Sequence, residues 1–309
     1  MKVALFGGTG FVGSYLVDAL LAHGHTPRLL VRNGSESKVV QRERCEIVPG
    51  DIADAAAVAE CLAGADAVIY NIGLLREFPA QGITWEKMHY EGAVRVIDAA
   101  VEAGVRRFIL MSANGVKPEG TGYQSTKYRA EQYLAASRLD WTVFRPSVVF
   151  GDPRGRMEFC SMLYAQMLAP PIPAPLFHDG LLPVGAGRFP MSPVAVEDVA
   201  EAFVRALETP ASIGRIFPLG GPEALEWREI LRVISTAAGK RKVMLPAPVG
   251  VARAAAALFD RYAWFPVTRA QLTMLLEGNA CDGSEAWQLF GITPRRFEPS
   301  ALAYVSGAG

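Results

Sequence analysis

Four glycines fall within seven residues near the start of this chain, in the run Gly7-Gly8-Thr9-Gly10-Phe11-Val12-Gly13. They lie directly between an apolar run at residues 3–6 and a helical pattern at residues 12–22. A strand that turns at once into a helix needs a glycine for the bend, and a second where helix and sheet pack closely. A plain turn needs one glycine; four mark a turn whose backbone can approach a ligand. The N–H groups of the bend and the positive end of the following helix then face a phosphate. The run predicts a strand–turn–helix unit that cradles a dinucleotide, with Gly7, Gly8, Thr9, Gly10, Phe11, Val12 and Gly13 on the pyrophosphate side.

The alternation continues along the chain. Apolar runs at residues 28–31, 46–48, 67–70, 108–111 and 142–145 are separated by helical patterns at 54–62, 85–103 and 123–136. Gly24, Gly64 and Gly104 follow helical runs, where a left-handed cap favours glycine, and Asp54 suits an N-cap. Six strands alternating with helices predict an α/β fold, a doubly wound parallel sheet of the Rossmann type. After Phe150 the pattern changes: residues 151–193 are rich in Gly and Pro, and helical patterns resume at 199–207, 227–238, 251–259 and 269–276, with a strand at 216–219. The expected division is a dinucleotide-binding domain over 1–150 and a smaller, mostly helical substrate lobe over 151–309. Residues 192–220 are expected to return to the sheet as one more strand and helix.

Lys plus Arg and Asp plus Glu are 31 each, so no basic excess points to nucleic acid. Cys45, Cys61, Cys160 and Cys281 have neither metal nor redox spacing, and no two histidines form a ligand pair on one helix face, so no metal is expected. No signal-peptide pattern opens the chain. The longest uncharged apolar stretch, 159–177, contains Pro170, Pro171, Pro173 and Pro175, so no transmembrane segment is expected. This leads to a soluble, cytoplasmic protein, with contact to a membrane surface left open.

The strand ends carry the rest of the expected cofactor site. Arg32 and Asn33 follow the second strand, where an NAD site places an acidic residue on the ribose 2′-hydroxyl. A guanidinium there pairs with a 2′-phosphate, so Arg32, with Arg28 and Lys38 nearby, favours NADP(H) over NAD(H). Asp51 and Ile52 follow the third strand and suit the adenine, and Asp51 equally suits a helix cap. Asn71, Ile72 and Gly73 follow the fourth. Ser112 ends the fifth strand, and Tyr123 and Lys127 stand at i and i+4 on the next helix. In that arrangement Lys127 lowers the pKa of Tyr123 from about 10, Tyr123 acts as general acid, and Ser112 orients a substrate oxygen.

These residues, with Arg145-Pro146-Ser147-Val148-Val149-Phe150-Gly151, resemble the short-chain dehydrogenase/reductase superfamily. Val196-Glu197-Asp198, Leu219-Gly220-Gly221-Pro222, the Leu139–Thr142 entry to the sixth strand and Phe290-Gly291-Ile292-Thr293-Pro294 are similar to its extended or atypical branch. Within that branch they are similar to the group of the NADPH-binding accessory subunit of respiratory complex I. The resemblance implies further cofactor contacts from Met111, Ser112, Tyr123, Lys127, Pro146, Ser147 and Val148. It departs from the epimerases in a shorter gap between Ser112 and Tyr123, and in Gln124 where glycine is common. It implies an NADP(H)-dependent oxidoreductase for a small carbonyl or quinone-like substrate. The alternative is a catalytically silent, NADPH-binding assembly or stability factor for a respiratory or quinone-biosynthesis complex.

The expected partner is a small-molecule substrate, without nucleic acid, and with contact to a membrane or respiratory complex left open. The apolar residues of 157–176 suit a greasy substrate, or equally the packing between lobes. Trp264 and Phe265, beside Arg261, suit lipid, a partner or core packing.

Overall fold

The first strand, β1 (Lys2–Phe6), reads KVALF, and its last four residues have no exposed surface. A strand buried on both faces belongs inside a sheet covered by helices on either side. The computed structural model, which describes residues 1–180, 182–259 and 268–305, shows such a sheet. It contains β1, β2 (Thr26–Val31), β3 (Glu46–Pro49), β4 (Ala67–Tyr70), β5 (Arg107–Met111), β6 (Asp140–Pro146) and a seventh strand, Arg215–Leu219. The order is Arg215–Leu219, β6, β5, β4, β1, β2, β3, and every neighbouring pair is parallel. The order reverses between β1 and β4, and a doubly wound sheet binds its ligand at the carboxyl ends of the strands at such a reversal.

Helices α1 (Phe11–Ala22), α2 (Ala55–Leu62), α3 (Gly92–Glu102) and α4 (Gly122–Ala135) connect the strands. On one face Ala4, Phe6, Tyr70, Phe108 and Leu110 pack with Val58 of α2, Val96 and Ile97 of α3, and Leu134 of α4. On the other face α1 packs on the helix Val196–Leu207. There the Phe144 ring lies 4.6 Å from Phe203, 5.9 Å from Phe217 and 5.6 Å from Phe290.

Arg107 ties the far end together. Its buried guanidinium donates to the Asp140 carbonyl (2.6 Å), Thr142 Oγ1 (2.8 Å), the Ala206 carbonyl (2.6 Å) and Ser212 Oγ (2.9 Å). One cation thus joins β5, β6 and the end of Val196–Leu207, where a positive charge also suits the helix dipole.

The contacts group the chain into two units: Met1–Pro146 with Val196–Leu219 and Gly283–Thr293, and Ser147–Ala195 with Gly220–Asp282 and Pro294–Gly309. The second unit holds helices Phe159–Leu163, Trp227–Ala237, Val249–Phe259 and Arg269–Glu277. Among its described residues are also short strand pairs, of which Ala174–His178 with Met244–Pro248 was not anticipated. Prolines 173, 175, 246 and 248 hid it, and they are tolerated because a two-stranded ribbon consists only of edges. Within 192–220, the stretch expected to return to the sheet, the first short strand does not join it. Val194–Ala195 pairs with Val149–Phe150, while the open edge of β6 takes Arg215–Leu219.

Among the described residues no helix is long and apolar enough to cross a membrane. Arg261, Trp264 and Phe265 lie outside the described residues.

Candidate nucleotide and catalytic site

The glycine turn is hemmed in by backbone and by the Leu29 side chain. Gly7 has φ +96°, and the Gly10 N–H donates to its carbonyl at 3.2 Å. A Cβ on Gly13 would lie 2.1 Å from the Gly7 oxygen and 2.8 Å from the Gly8 Cα. A Cβ on Gly7 would meet the Asn71 carbonyl at 3.0 Å, and one on Gly8 the Leu29 side chain at 2.4 Å. Contacts under 3 Å leave no room for a methyl group, so Gly13 allows α1 to begin against the bend. Gly10 caps α1 without any side-chain bond, which leaves the first-turn N–H groups of the helix available to a phosphate.

Around this cradle, Arg32 and Asn33 stand exposed just beyond β2. Arg28 is engaged elsewhere: it donates to the Ala63 carbonyl at 2.7 Å and lies 3.7 Å from Glu46. Asp51 folds its carboxylate onto the Ala53 N–H at 2.9 Å, and Ile52 is buried in the core under α2 and α3. Asn71 follows β4 with its N–H on the Phe6 carbonyl at 2.9 Å, and Ile72 and Gly73 come next. Thr9, Phe11 and Val12 are half-buried.

A recess at the ends of β4 and β5 is lined by Tyr70, Ile72, His89, Leu110, Met111, Ser112, Lys127 and Ala130. Ser112 is 3% exposed, and its hydroxyl oxygen has no hydrogen-bond partner. Such a group normally finds one, because leaving it dry costs about 1–3 kcal/mol. The Lys127 ammonium donates to the Met111 carbonyl at 3.0 Å. Burial pushes its pKa down to about 8, against the opposing pull of Glu131. Glu131 itself, 1% exposed, takes a two-pronged bond from Arg145 of β6, which anchors α4 one turn beyond Lys127.

Tyr123 presents its ring edge-on to His89, with centroids 5.1 Å apart, and to Trp85 at 6.4 Å. The Lys127 Nζ stands 5.8 Å from the Tyr123 ring centre. The expected lowering of the tyrosine pKa by Lys127 is not what these surroundings give. Burial pushes the Tyr123 phenol up, and the lysine is turned to the Met111 carbonyl. Ser147 and Val148 fall in the second unit, where the Ser147 hydroxyl donates to the Asn279 carbonyl at 2.6 Å.

Two residues of the site have roles that the sequence does not reveal. His89 draws notice there only as a metal ligand without a ligand partner. It is 2% exposed, its Nε2 accepts the Leu74 N–H at 2.9 Å, and its Nδ1 lies 3.3 Å from Thr126 Oγ1. Burial, aided by Lys127, holds it well below the usual histidine range, so it is a neutral strut between the loop after β4 and α4. It sits in a π-helical turn, Glu86–Glu91, that interrupts the single helix expected over 85–103; such turns recur at functional sites. Gln124 is the second. Its side chain closes a capping box with Thr121 and donates to the Gly115 carbonyl at 3.0 Å, which explains an amide at a position where glycine is common.

The burial of Lys127 has a measurable consequence. Its folded pKa, about 8, lies below the ordinary 10.5, so above pH 8 the folded chain sheds a proton that the unfolded chain keeps. Stability then rises with pH across that window, by about 3 kcal/mol in all. Urea unfolding from pH 7 to 10.5 should show the rise, and Lys127→Met should remove it. Equal slopes in the two proteins would contradict the assignment.

A family profile described as NAD(P)H-binding matches residues 7–162, half of the chain. The chain belongs to the NAD(P)H-binding family. Relatives in line with this are the 40 kDa subunit of mitochondrial NADH-ubiquinone oxidoreductase from Neurospora crassa, 25% identical over 86% of this chain and 68% of that protein, and a ceramide reductase from Caulobacter vibrioides, 27% identical over 86% and 79%. The photosystem II assembly factor Ycf39 of Trieres chinensis is 25% identical over 85% and 77%. The resemblance to the atypical short-chain dehydrogenase/reductases, and to the complex I accessory subunit among them, therefore stands. In fold, the chain matches a UDP-glucose 4-epimerase from Thermus thermophilus, solved with NAD. The TM-score is 0.73 over all of this chain and 98% of that one, at 21% identity.

These relatives correct the partner expectation. It put a small-molecule substrate first and left a respiratory complex only as an open option. Proteins aligned over more than four-fifths of this chain are named as a complex subunit and as an assembly factor, so in the NAD(P)H-binding family protein assemblies are no side case.

Proposed function

We propose that this chain binds NADP(H) and reduces or oxidises a small, apolar carbonyl or quinone-like substrate. The observation that carries the reading is the Ser112 hydroxyl, buried without a partner in the same recess as Lys127. A substrate oxygen would supply the missing bond. The glycine cradle fits a pyrophosphate, because a Cβ at Gly13 would close it. Arg32, exposed beyond β2, would take the 2′-phosphate, with Asn33 beside it; Asp51 and Ile52 would border the adenine. Asn71, Ile72, Gly73, Met111 and Pro146 would complete the cofactor side.

The bound nucleotide supplies or accepts a hydride. Ser112 would donate to the substrate oxygen and orient it, and Tyr123 would pass its phenolic proton to that oxygen. The raised pKa of Tyr123 keeps that proton in place at neutral pH. Lys127 would hold the ribose with its ammonium. A ceramide reductase among the relatives supports a reductase with a greasy substrate.

Two measurements test this. In calorimetric titration the protein should bind NADPH more tightly than NADH, and Arg32→Asp should erase the preference by about tenfold or more, the worth of one charged hydrogen bond. Tighter binding of NADH by the unaltered protein would overturn the NADP(H) assignment. The protein loaded with NADPH should then oxidise it on some member of a panel of apolar ketones, aldehydes and quinones. Tight binding with no oxidation across the panel would favour a second reading, a nucleotide-loaded assembly or stability factor, which the names of the Neurospora and Trieres relatives support.

A further inference from the structure

The helix Val249–Phe259 carries a single charged residue, Arg253, in eleven. Val249 is buried, and Ala252 packs against the core of the second unit. Val251, Ala254 and Leu258 follow at spacings of three and four, so they share a different face. That face is open: Val251 is 69% and Leu258 64% exposed. A helix that turns one face to a core and the other to water normally makes the second face polar.

The strand leading into this helix repeats the pattern. In the pair of Met244–Pro248 with Ala174–His178, Ala174 and Met244 belong to the core side. Val243 and Leu245 alternate away from it and stand 64% and 52% exposed. The Val243 carbonyl accepts the Ala174 N–H, which brings the exposed Ile172 to the same end of the ribbon.

Arginines flank these side chains. Residues 230–259 contain Arg232, Lys240, Arg241, Lys242 and Arg253, with Glu229 and Asp260 just outside; Lys240 lies over the Tyr164 ring and Lys242 donates to the Pro170 carbonyl, so Arg241 and Arg253 are the cations beside the apolar residues. The exposed Arg241 comes two residues before Val243, and the exposed Arg253 two after Val251. Apolar side chains beside arginines match an anionic bilayer surface, which takes the first among its acyl chains and the second on its phosphates. A second copy of the chain would set like charges against each other. An eleven-residue helix is too short to span a bilayer, so it would lie on one.

We propose that the strand Met244–Pro248 and the helix Val249–Phe259 form a docking surface for an anionic lipid membrane. This is independent of the proposed reaction. Sedimentation with phosphatidylcholine vesicles, with and without phosphatidylglycerol, tests it on the full chain. Binding is expected only with phosphatidylglycerol, falling with added salt. Val251→Glu with Leu258→Glu should weaken it at least tenfold, with the far-ultraviolet circular dichroism unchanged. Should that pair unfold the helix, Arg241→Glu with Arg253→Glu decides, with the same loss expected. No binding to phosphatidylglycerol vesicles would overturn the proposal. So would binding that survives the variants, or a dimer in light scattering that the Leu258 change splits.

Discussion

Tyr123→Phe is expected to lower NADPH-dependent turnover by about a hundredfold or more, the worth of a well-placed general acid. Nucleotide affinity should stay within about twofold, because the proposed pyrophosphate and 2′-phosphate contacts are the glycine turn and Arg32. The change should also be mild for the fold. The ring of Tyr123 packs edge-on against His89 and Trp85, and phenylalanine keeps that packing. Raised by burial, the phenol keeps its proton through the neutral range, so the variant tests donation alone. Turnover and nucleotide titration on the same preparation provide the check. Unchanged turnover would remove Tyr123 from the reaction and leave Ser112 and Lys127 as binding residues only.

The second large effect is expected at the glycine turn. Gly13→Val would drive its first carbon to within 2.1 Å of the Gly7 oxygen, a distance real atoms do not share. Either α1 retreats from the turn or the turn opens, and both spoil the cradle. Overpacking of this kind costs about 1–3 kcal/mol and sometimes more. NADPH affinity should therefore fall about tenfold to a hundredfold. Gly24→Val is the control for damage to the fold: Gly24 lies just past the opposite end of α1, its φ of +74° strains any side chain placed there, and its Cβ would meet nothing within 4 Å, so it costs stability without touching the turn. Calorimetry on both variants, with thermal unfolding alongside, separates a damaged site from a damaged fold. Normal affinity in Gly13→Val would mean that the nucleotide binds elsewhere.

Much of the frame was legible because it rests on local patterns. The buried strands read as apolar runs, and the glycine turn sits where strand and helix meet, so both can be found without any distant partner. Ser112, Lys127 and Tyr123 could be named from their place after β5. Their electrostatics could not. Whether Lys127 lowers the tyrosine pKa depends on what else the lysine touches, and the Met111 carbonyl comes from a strand sixteen residues away. His89 was hidden for the same reason, since its importance lies in bonds to Leu74 and Thr126. In the second unit, the ribbon of Ala174–His178 with Met244–Pro248 joins segments about seventy residues apart through proline-rich sequence, and no short window contains that pairing.

The order in which the sheet is assembled from the chain carries one more consequence. Its first six strands are complete at Pro146, but the strand that covers β6 arrives only at Arg215–Leu219, and the Phe290 ring that closes over Phe144 later still. During synthesis, a growing polypeptide would show the bare hydrogen-bonding flank of β6 and a greasy side of the sheet until those distant pieces emerge. Such unguarded flanks invite pairing with other nascent chains. A protein laid out this way gains from a chaperone that shelters β6 in the interval, and it cannot be shortened to its first 146 residues without making that interval permanent.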